Sequence, residues 1–221
     1  MTDSHCHVAG TAGRHFICSP SAVPYGLPGC VRFFGCHPWT PEEFDEEELR
    51  RLLLEHPDAG VGEIGLDRLK KREIAPLERE VFERQLAIAA EFHRPVVLHG
   101  AKCWGETLKA CKPYKGVIPA FLFHGFSRST GLIPEIKDLG GFISIGPAVA
   151  NAHAVNYMRM AAEIPSDMLL VETDRTPESP LDLPDIAQIT ARLAELRRTT
   201  AAELDAILDS NASRFVSSLL A

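Results

Sequence analysis

Eight short strand-like runs, all but the first largely apolar and separated mostly by stretches with helical periodicity, constrain the fold of this chain more than any other feature. They cover residues 1–5, 15–18, 31–35, 59–63, 95–99, 118–124, 142–145 and 168–172. Runs of this length bounded by turn residues read as strands, and strands alternating with helices read as an α/β protein with a parallel sheet. Eight such strands predict a TIM (β/α)8-type barrel. The 221 residues suit one barrel over 1–221, since such barrels commonly fill about 200–250.

The intervening helices are read from their caps and their periodicity. Thr40-Pro41-Glu42-Glu43 predicts a helix start, with Thr40 as N-cap, Pro41 at the first position and Glu43 closing a capping box. Leu49, Leu52, Leu53 and His56 give that helix its buried face, with His56 placed to complement the C-terminal dipole. Phe82, Leu86, Ala89 and His93 mark a second helix, followed by shorter ones over 104–111, 132–139 and 152–163. Ile186, Ile189, Leu193 and Leu196 form one face near the end, and Thr200 to Glu203 is a second capping box opening a helix over 200–208. Residues 19–30 carry three prolines and two glycines and cannot supply a crossover helix. The helix between strands 2 and 3 is therefore expected to be reduced to a loop, leaving apolar strand sides for a second copy of the chain to cover as a homo-oligomer.

The net charge of −7 makes the surface repel polyanions, so an anionic substrate must be drawn in locally. No apolar run approaches membrane-spanning length and the first residues are polar, which points to a cytoplasmic protein without a membrane partner. The six cysteines contain no C-x-x-C pair and read as reduced, partly buried small hydrophobes. Cys6 and Cys36 lie inside the motifs described next, which keeps a soft-ligand role open for them.

The chemistry sits at the strand ends. His5 and His7, two apart on an extended segment, point to one face. Glu63, His99, His124 and Asp174 each close or follow a later strand, and a barrel gathers such C-terminal ends at one mouth. Any one of them alone reads equally well as a hydrogen-bonded core histidine or an ion-paired carboxylate. Six at the strand ends do not, because a buried unpaired charge is costly. Four imidazoles and two carboxylates suffice for two divalent metal ions, with Mg, Mn or Zn compatible with the donor mixture. A pair of ions about 3.5–4 Å apart activates a water and stabilises attacking and leaving oxygens, which is hydrolytic chemistry.

Asp3-Ser-His-Cys-His7, Gly35-Cys-His-Pro-Trp39, Gly62-Glu-Ile-Gly-Leu-Asp67, Val97-Leu-His99, Phe123-His-Gly-Phe-Ser127, Ser144-Ile-Gly146, Val171-Glu-Thr-Asp174 and Asn211-Ala-Ser-Arg-Phe215 occur in an order that resembles the TatD family of metal-dependent hydrolases, within the metal-dependent hydrolase superfamily. The resemblance implies a barrel hydrolase, with 3′-to-5′ DNA exonuclease activity in some members. It implies that His5, His7, Glu63 and Asp174 hold one metal, and Glu63, His99 and His124 the other. Glu63 would bridge, Asp174 would orient or deprotonate the water, and His37 would stand near the mouth without ligating, touching either substrate or its own loop.

The chain departs from the family pattern where Lys102, Arg128 and Arg175 follow strand ends. These three suggest a basic collar that grips phosphate or carboxylate, the alternative being pairing with local acids such as Glu178. His153 could also reach a substrate. Trp104 reads first as packing, with stacking on a base or sugar as the alternative. The expectation is a divalent-metal-dependent phosphodiesterase or deoxyribonuclease using a metal-activated water, acting on a single-stranded nucleic acid end or a small phosphoester. Two alternatives stand beside it: an amidohydrolase or esterase with the same site, and a non-catalytic metal-binding barrel.

Overall fold

Each strand pairs in parallel with its neighbour in sequence, giving one eight-stranded sheet in the order β1 to β8. The computed structural model describes residues 1–18, 28–70, 72–127 and 130–219. The strands are β1 Thr2–Cys6, β2 Arg14–Cys18, β3 Cys30–Phe34, β4 Gly60–Asp67, β5 Val96–Ala101, β6 Phe121–Phe123, β7 Gly141–Ile145 and β8 Leu169–Val171. The helices are α1 Glu46–Glu55, α2 Pro76–Glu91, α3 Trp104–Cys111, α4 Ile133–Asp138, α5 Val155–Glu163, α6 Ile186–Arg197 and α7 Ala201–Phe215. The expected TIM-type barrel is present. Most of the Pro/Gly-rich connector, residues 19–27, lies outside the described residues, as do the expectations of a reduced helix and a covering subunit there.

The eight-residue β4 is buried throughout, whereas β6 and β8 are three residues each. Residues 118–120, expected within strand six, stand apart from β6: Ile118 makes an isolated bridge to Lys115, and 119–120 run as bend and coil. The α1 start also differs from expectation. Thr40 heads only a 3-10 turn, Pro41–Glu43, and its side chain caps nothing. Phe44 is extended and breaks the turn, so Asp45 becomes the N-cap of α1 and accepts the Glu48 N–H at 3.0 Å. His56 is the C-cap of α1, as its sequence position suggested. The Thr200–Glu203 capping box forms in both directions, but α7 continues to Phe215, beyond the expected end near 208.

That extension matters for the barrel. Phe215 packs within 5.7–5.9 Å of the rings of Phe16, Phe33 and Phe142, in a buried cluster with Val97, Leu122 and Leu170. The alternation of strand side chains then sets what lies above. Two residues on from Val97 is His99; from Leu122, His124; from Phe142, Ser144; from Leu170, Glu172. The same strand faces thus carry an apolar layer toward the N-terminal end and a polar layer toward the C-terminal end.

Among the described residues no ladder joins β8 to β1. Hydrogen bonds around the strand ends close that seam. Ser4 Oγ donates to the Val171 carbonyl at 2.7 Å, and Asp3 accepts the Thr173 N–H at 3.0 Å and hydroxyl at 2.6 Å. The Asp174 N–H donates to the His5 carbonyl at 3.0 Å, and the His7 N–H to the Arg175 carbonyl at 2.8 Å. No described helix is long and apolar enough to cross a membrane.

Candidate active site

Glu63 is the centre on which the polar layer converges. The β3–β4–β5 ladder is regular except between Val61 and Ile64, and β1 shifts register between Asp3 and Cys6. Such irregularities re-aim side chains, and here they bracket Glu63 and His5. Gly65 follows, with φ +153° and so little room that an added Cβ would lie 1.9 Å from the His99 carbonyl oxygen. Only glycine lets β4 and β5 approach this closely, which sets Glu63 beside His99.

The donors around Glu63 fall into two groups of different character. On one side, His5 Nε2 lies 3.5 Å from Glu63 Oε2 and 3.4 Å from Asp174 Oδ1, and His7 Nε2 lies 3.5 and 3.6 Å from the same two oxygens. His5 is wholly buried, and neither of its ring nitrogens makes a hydrogen bond. Orphaned buried imidazole nitrogens need a partner. Donors about 3.4 Å apart are what four ligands in tetrahedral array at bond lengths near 2.1 Å would present. This set therefore fits a divalent metal.

On the other side, Glu63 Oε1 is 2.7 Å from His99 Nδ1 and 2.5 Å from His124 Nε2, both at hydrogen-bonding distance. His37 Nε2 stands 3.5 Å from the same oxygen. His37 Nδ1 accepts the Trp39 N–H at 3.2 Å, so in the neutral ring the proton sits on Nε2 and points toward Glu63. That hydrogen bond disfavours His37 as a ligand despite its proximity.

Electrostatics follow from this crowding. Burial alone would raise Glu63; His124, His5 and His37 reverse the effect and hold its carboxyl well below the ordinary range. Burial and His5 oppose a charge on His124, yet Glu63 and Glu172 carry it up to about 9. For Asp174, burial is again outweighed, by the His5 and His7 imidazoles, and the carboxyl stays ionised. Its backbone is left-handed at φ 50°, a conformation costly for a non-glycine residue and one that turns the carboxylate back over β1.

Four residues without an assigned role in the sequence reading support this centre. Asp3 grips Thr173 and so places Asp174. Asp67 Oδ2 lies 2.9 Å from His99 Nε2 and accepts the Trp39 indole N–H at 2.8 Å. Glu172 accepts the Gly125 N–H at 2.6 Å and the Ser144 hydroxyl, and its Oε1 is 3.6 Å from His124 Nδ1. Trp39 forms part of the wall. The signal was available for three of them, in Asp-Ser-His, Gly-Leu-Asp and Glu-Thr-Asp, but strand position alone does not say which neighbour a carboxylate meets.

A cavity of about 590 Å³ opens above the centre. His7, His37, Glu63, Asp67, His99, His124 and Asp174 form its polar floor, Thr40, Thr176 and Glu178 add polar groups, and Trp39, Leu69, Ala101 and Pro177 are apolar walls. Of the expected basic collar, the two described members, Lys102 and Arg175, do not line it. Arg175 turns aside, donating to the Leu183 carbonyl at 3.0 Å and bordering a different cavity. Lys102 is exposed on a left-handed turn and does not contribute to the lining. Arg128 lies outside the described residues. His153 is exposed and away from the lining, and Trp104 is 2% exposed, packed against Phe123 and Phe126. All six cysteines are free.

A parallel eight-stranded barrel whose C-terminal mouth gathers histidines and carboxylates around one buried glutamate belongs to the metal-dependent hydrolases. Residues 26–217 match the family described as TatD related DNase, and the chain is a member of that family. It is 28% identical over 203 residues to the metal-dependent hydrolase YcfH of Escherichia coli K12, covering 79% of this chain and 77% of that protein. It is 34% identical over 162 residues to the 3′-5′ ssDNA/RNA exonuclease TatD of Klebsiella pneumoniae, covering 70% and 60%. The crystal structure of YjjV, a TatD homolog from E. coli K12, superposes with a TM-score of 0.85 at 24% identity, covering 97% and 96%. The organophosphorus hydrolase of Deinococcus radiodurans shares the fold more distantly, with a TM-score of 0.60 at 13% identity over 92% and 78%.

Proposed function

We propose that this protein hydrolyses phosphodiester bonds at the ends of single-stranded nucleic acid, or in small nucleotides, using two divalent ions. The observation that carries the reading is the clustering of His5, His7, Glu63, His99, His124 and Asp174 at one barrel mouth, with the His5 nitrogens buried and without a hydrogen bond. His5, His7, Glu63 and Asp174 would hold one ion, and Glu63, His99 and His124 a second. Bound there, a divalent metal supplies Lewis acidity toward a phosphoryl oxygen and lowers the pKa of water.

The chain's own groups then have distinct tasks. Asp174, ionised and open to the cavity, orients the attacking water. Asp67 accepts the proton on His99 Nε2 and so leaves Nδ1 as the ligating nitrogen, and Glu172 steadies His124. His37, with its proton toward Glu63, braces that carboxylate. The relative named as a single-stranded exonuclease supports the choice of substrate. So does the lack of Arg and Lys among the described residues of the cavity lining, which disfavours tracking along a duplex backbone.

The test uses metal-stripped protein with Mg, Mn or Zn restored, beside Glu63→Ala and Asp174→Ala. Substrates are bis-p-nitrophenyl phosphate and a single-stranded oligonucleotide labelled at either end. Metal-dependent cleavage from the 3′ end, lost in both variants, is the expected result. Metal uptake without cleavage of either phosphodiester would overturn the reading.

A further inference from the structure

We propose that Trp39 is a nucleobase platform beside the metal centre, and that Lys70 supplies the cation for the phosphate next to that base. The proposal rests on the phosphodiesterase reading and names the part of the substrate that the apolar wall of the cavity receives. Trp39 is 46% exposed although it is one of only two tryptophans in the chain, and the other is buried. Its exposed ring is nonetheless held in place. The indole N–H donates to Asp67, whose second oxygen accepts the Leu69 and Lys70 N–H groups at 2.5 and 2.8 Å. Asp67 itself is 2% exposed, and the oxygen that accepts the indole N–H also meets His99, so the ring is tied through one buried carboxylate to a candidate metal ligand.

The surroundings suit a planar, partly apolar group joined to an anion. The Trp39 ring centroid lies 4.6 Å from that of His37 and 6.3 Å from that of His99, which puts the indole one ring's width from the polar floor. Leu69, 63% exposed, stands on the same wall. Lys70 Nζ lies over the Trp39 ring, 3.7 Å from its centroid, a cation–π contact beside a cavity wall whose described lining holds no Lys or Arg. A phosphate on the floor and a base on the wall would use both parts of the cavity. Stacking on an aromatic side chain needs no particular base, as expected for an enzyme that takes successive nucleotides.

The test compares deoxyadenosine monophosphate with deoxyribose 5-phosphate, which lacks the base, on the metal-restored protein. Intrinsic fluorescence reports first, because the exposed Trp39 is quenched by a stacked base and the buried Trp104 is not. Calorimetry then measures both ligands on wild type, Trp39→Ala and Trp39→Phe. The expected result is saturable quenching by the nucleotide only. Its affinity should fall about 5- to 150-fold in Trp39→Ala, with most of it kept in Trp39→Phe and the sugar phosphate unaffected. Lys70→Ala should weaken both ligands together.

Equal binding of the two ligands to wild type, or unchanged nucleotide affinity in Trp39→Ala, would overturn the platform. These outcomes are separable from failure of the phosphodiesterase reading. A protein that binds the nucleotide through Trp39 yet cleaves no phosphodiester keeps the subsite and loses the activity. One that cleaves normal and 3′-abasic oligonucleotides alike in Trp39→Ala and wild type keeps the activity and loses the subsite.

Discussion

The Asp3 carboxylate takes both the N–H and the hydroxyl of Thr173, 170 residues away, at 3.0 and 2.6 Å. This pair, at the seam between β8 and β1, fixes the turn that presents Asp174 to His5 and His7. Asp3→Ala leaves both Thr173 donors unpaired in buried surroundings, a loss of about 1–3 kcal/mol by urea denaturation. Because the turn then loosens, zinc affinity measured by equilibrium dialysis should drop about 10- to 100-fold. Unchanged zinc affinity would separate the seam from the site.

Gly65→Ala should be more damaging than any ligand substitution. The new methyl meets the His99 carbonyl at a distance no packing adjustment accommodates, at a φ hostile to side chains. Overpacking and backbone strain together cost at least about 3 kcal/mol, and the strands bearing Glu63 and His99 are forced apart. A denaturation midpoint close to wild type would contradict this.

Asn211 offers the opposite case, stability without chemistry. Its amide donates to the Ser166 and Leu169 carbonyls at 2.7 and 2.8 Å, and its oxygen accepts from Arg214 at 3.1 Å. Asn211→Ala should cost about 1–3 kcal/mol, lowering Tm by roughly 2–4 °C for each kcal/mol in a chain of this size. Metal affinity per folded molecule should not change.

The cysteines give a pH dependence. Burial, then the nearby Glu43, pushes the Cys36 thiol up to about 11, even though Thr40 interacts favourably with its ionised form, and burial carries Cys103 to about 11. A raised thiol pKa means less thiolate at a given pH. At pH 8 each should react with iodoacetamide about a hundredfold more slowly than a free thiol, accelerating roughly tenfold per pH unit up to about pH 11. Peptide mapping of the alkylated sites over pH 7–10 checks this, and rapid labelling of Cys36 at pH 7 would refute it.

Removing metal should loosen the whole mouth. With the His5 nitrogens lacking hydrogen bonds and burial opposing the charges gathered there, adding zinc at a hundred times its dissociation constant should stabilise the stripped protein by about 2.7 kcal/mol. Calorimetric scans with and without zinc measure the shift. His5→Ala should reduce it.

The barrel was legible because its strands are apolar and close with an ionisable residue, so two-residue alternation carried His99 and His124 onto the face of Val97 and Leu122. Glu63 was legible for the same reason. Asp67 and Glu172 were not, since their partners come from other strands and depend on a register that no local pattern specifies. Arg175 misled for a related reason: the left-handed Asp174 turns the chain just before it, and its side chain leaves the mouth. The α1 cap shows the limit at short range. Thr40 and Asp45 both precede acidic residues at cap spacing, and only the extended Phe44 between them decides which one starts the helix.

The seam between the first and last strands also has a temporal side. At about 5–20 residues per second, synthesis of the 170 residues between Asp3 and Thr173 takes roughly 8–34 seconds. For nearly all of that interval His5 and His7 exist but lack Asp174. A nascent chain therefore cannot bring Asp174 to His5 and His7 until its eighth strand arrives, so that grouping of donors belongs to the late steps of folding.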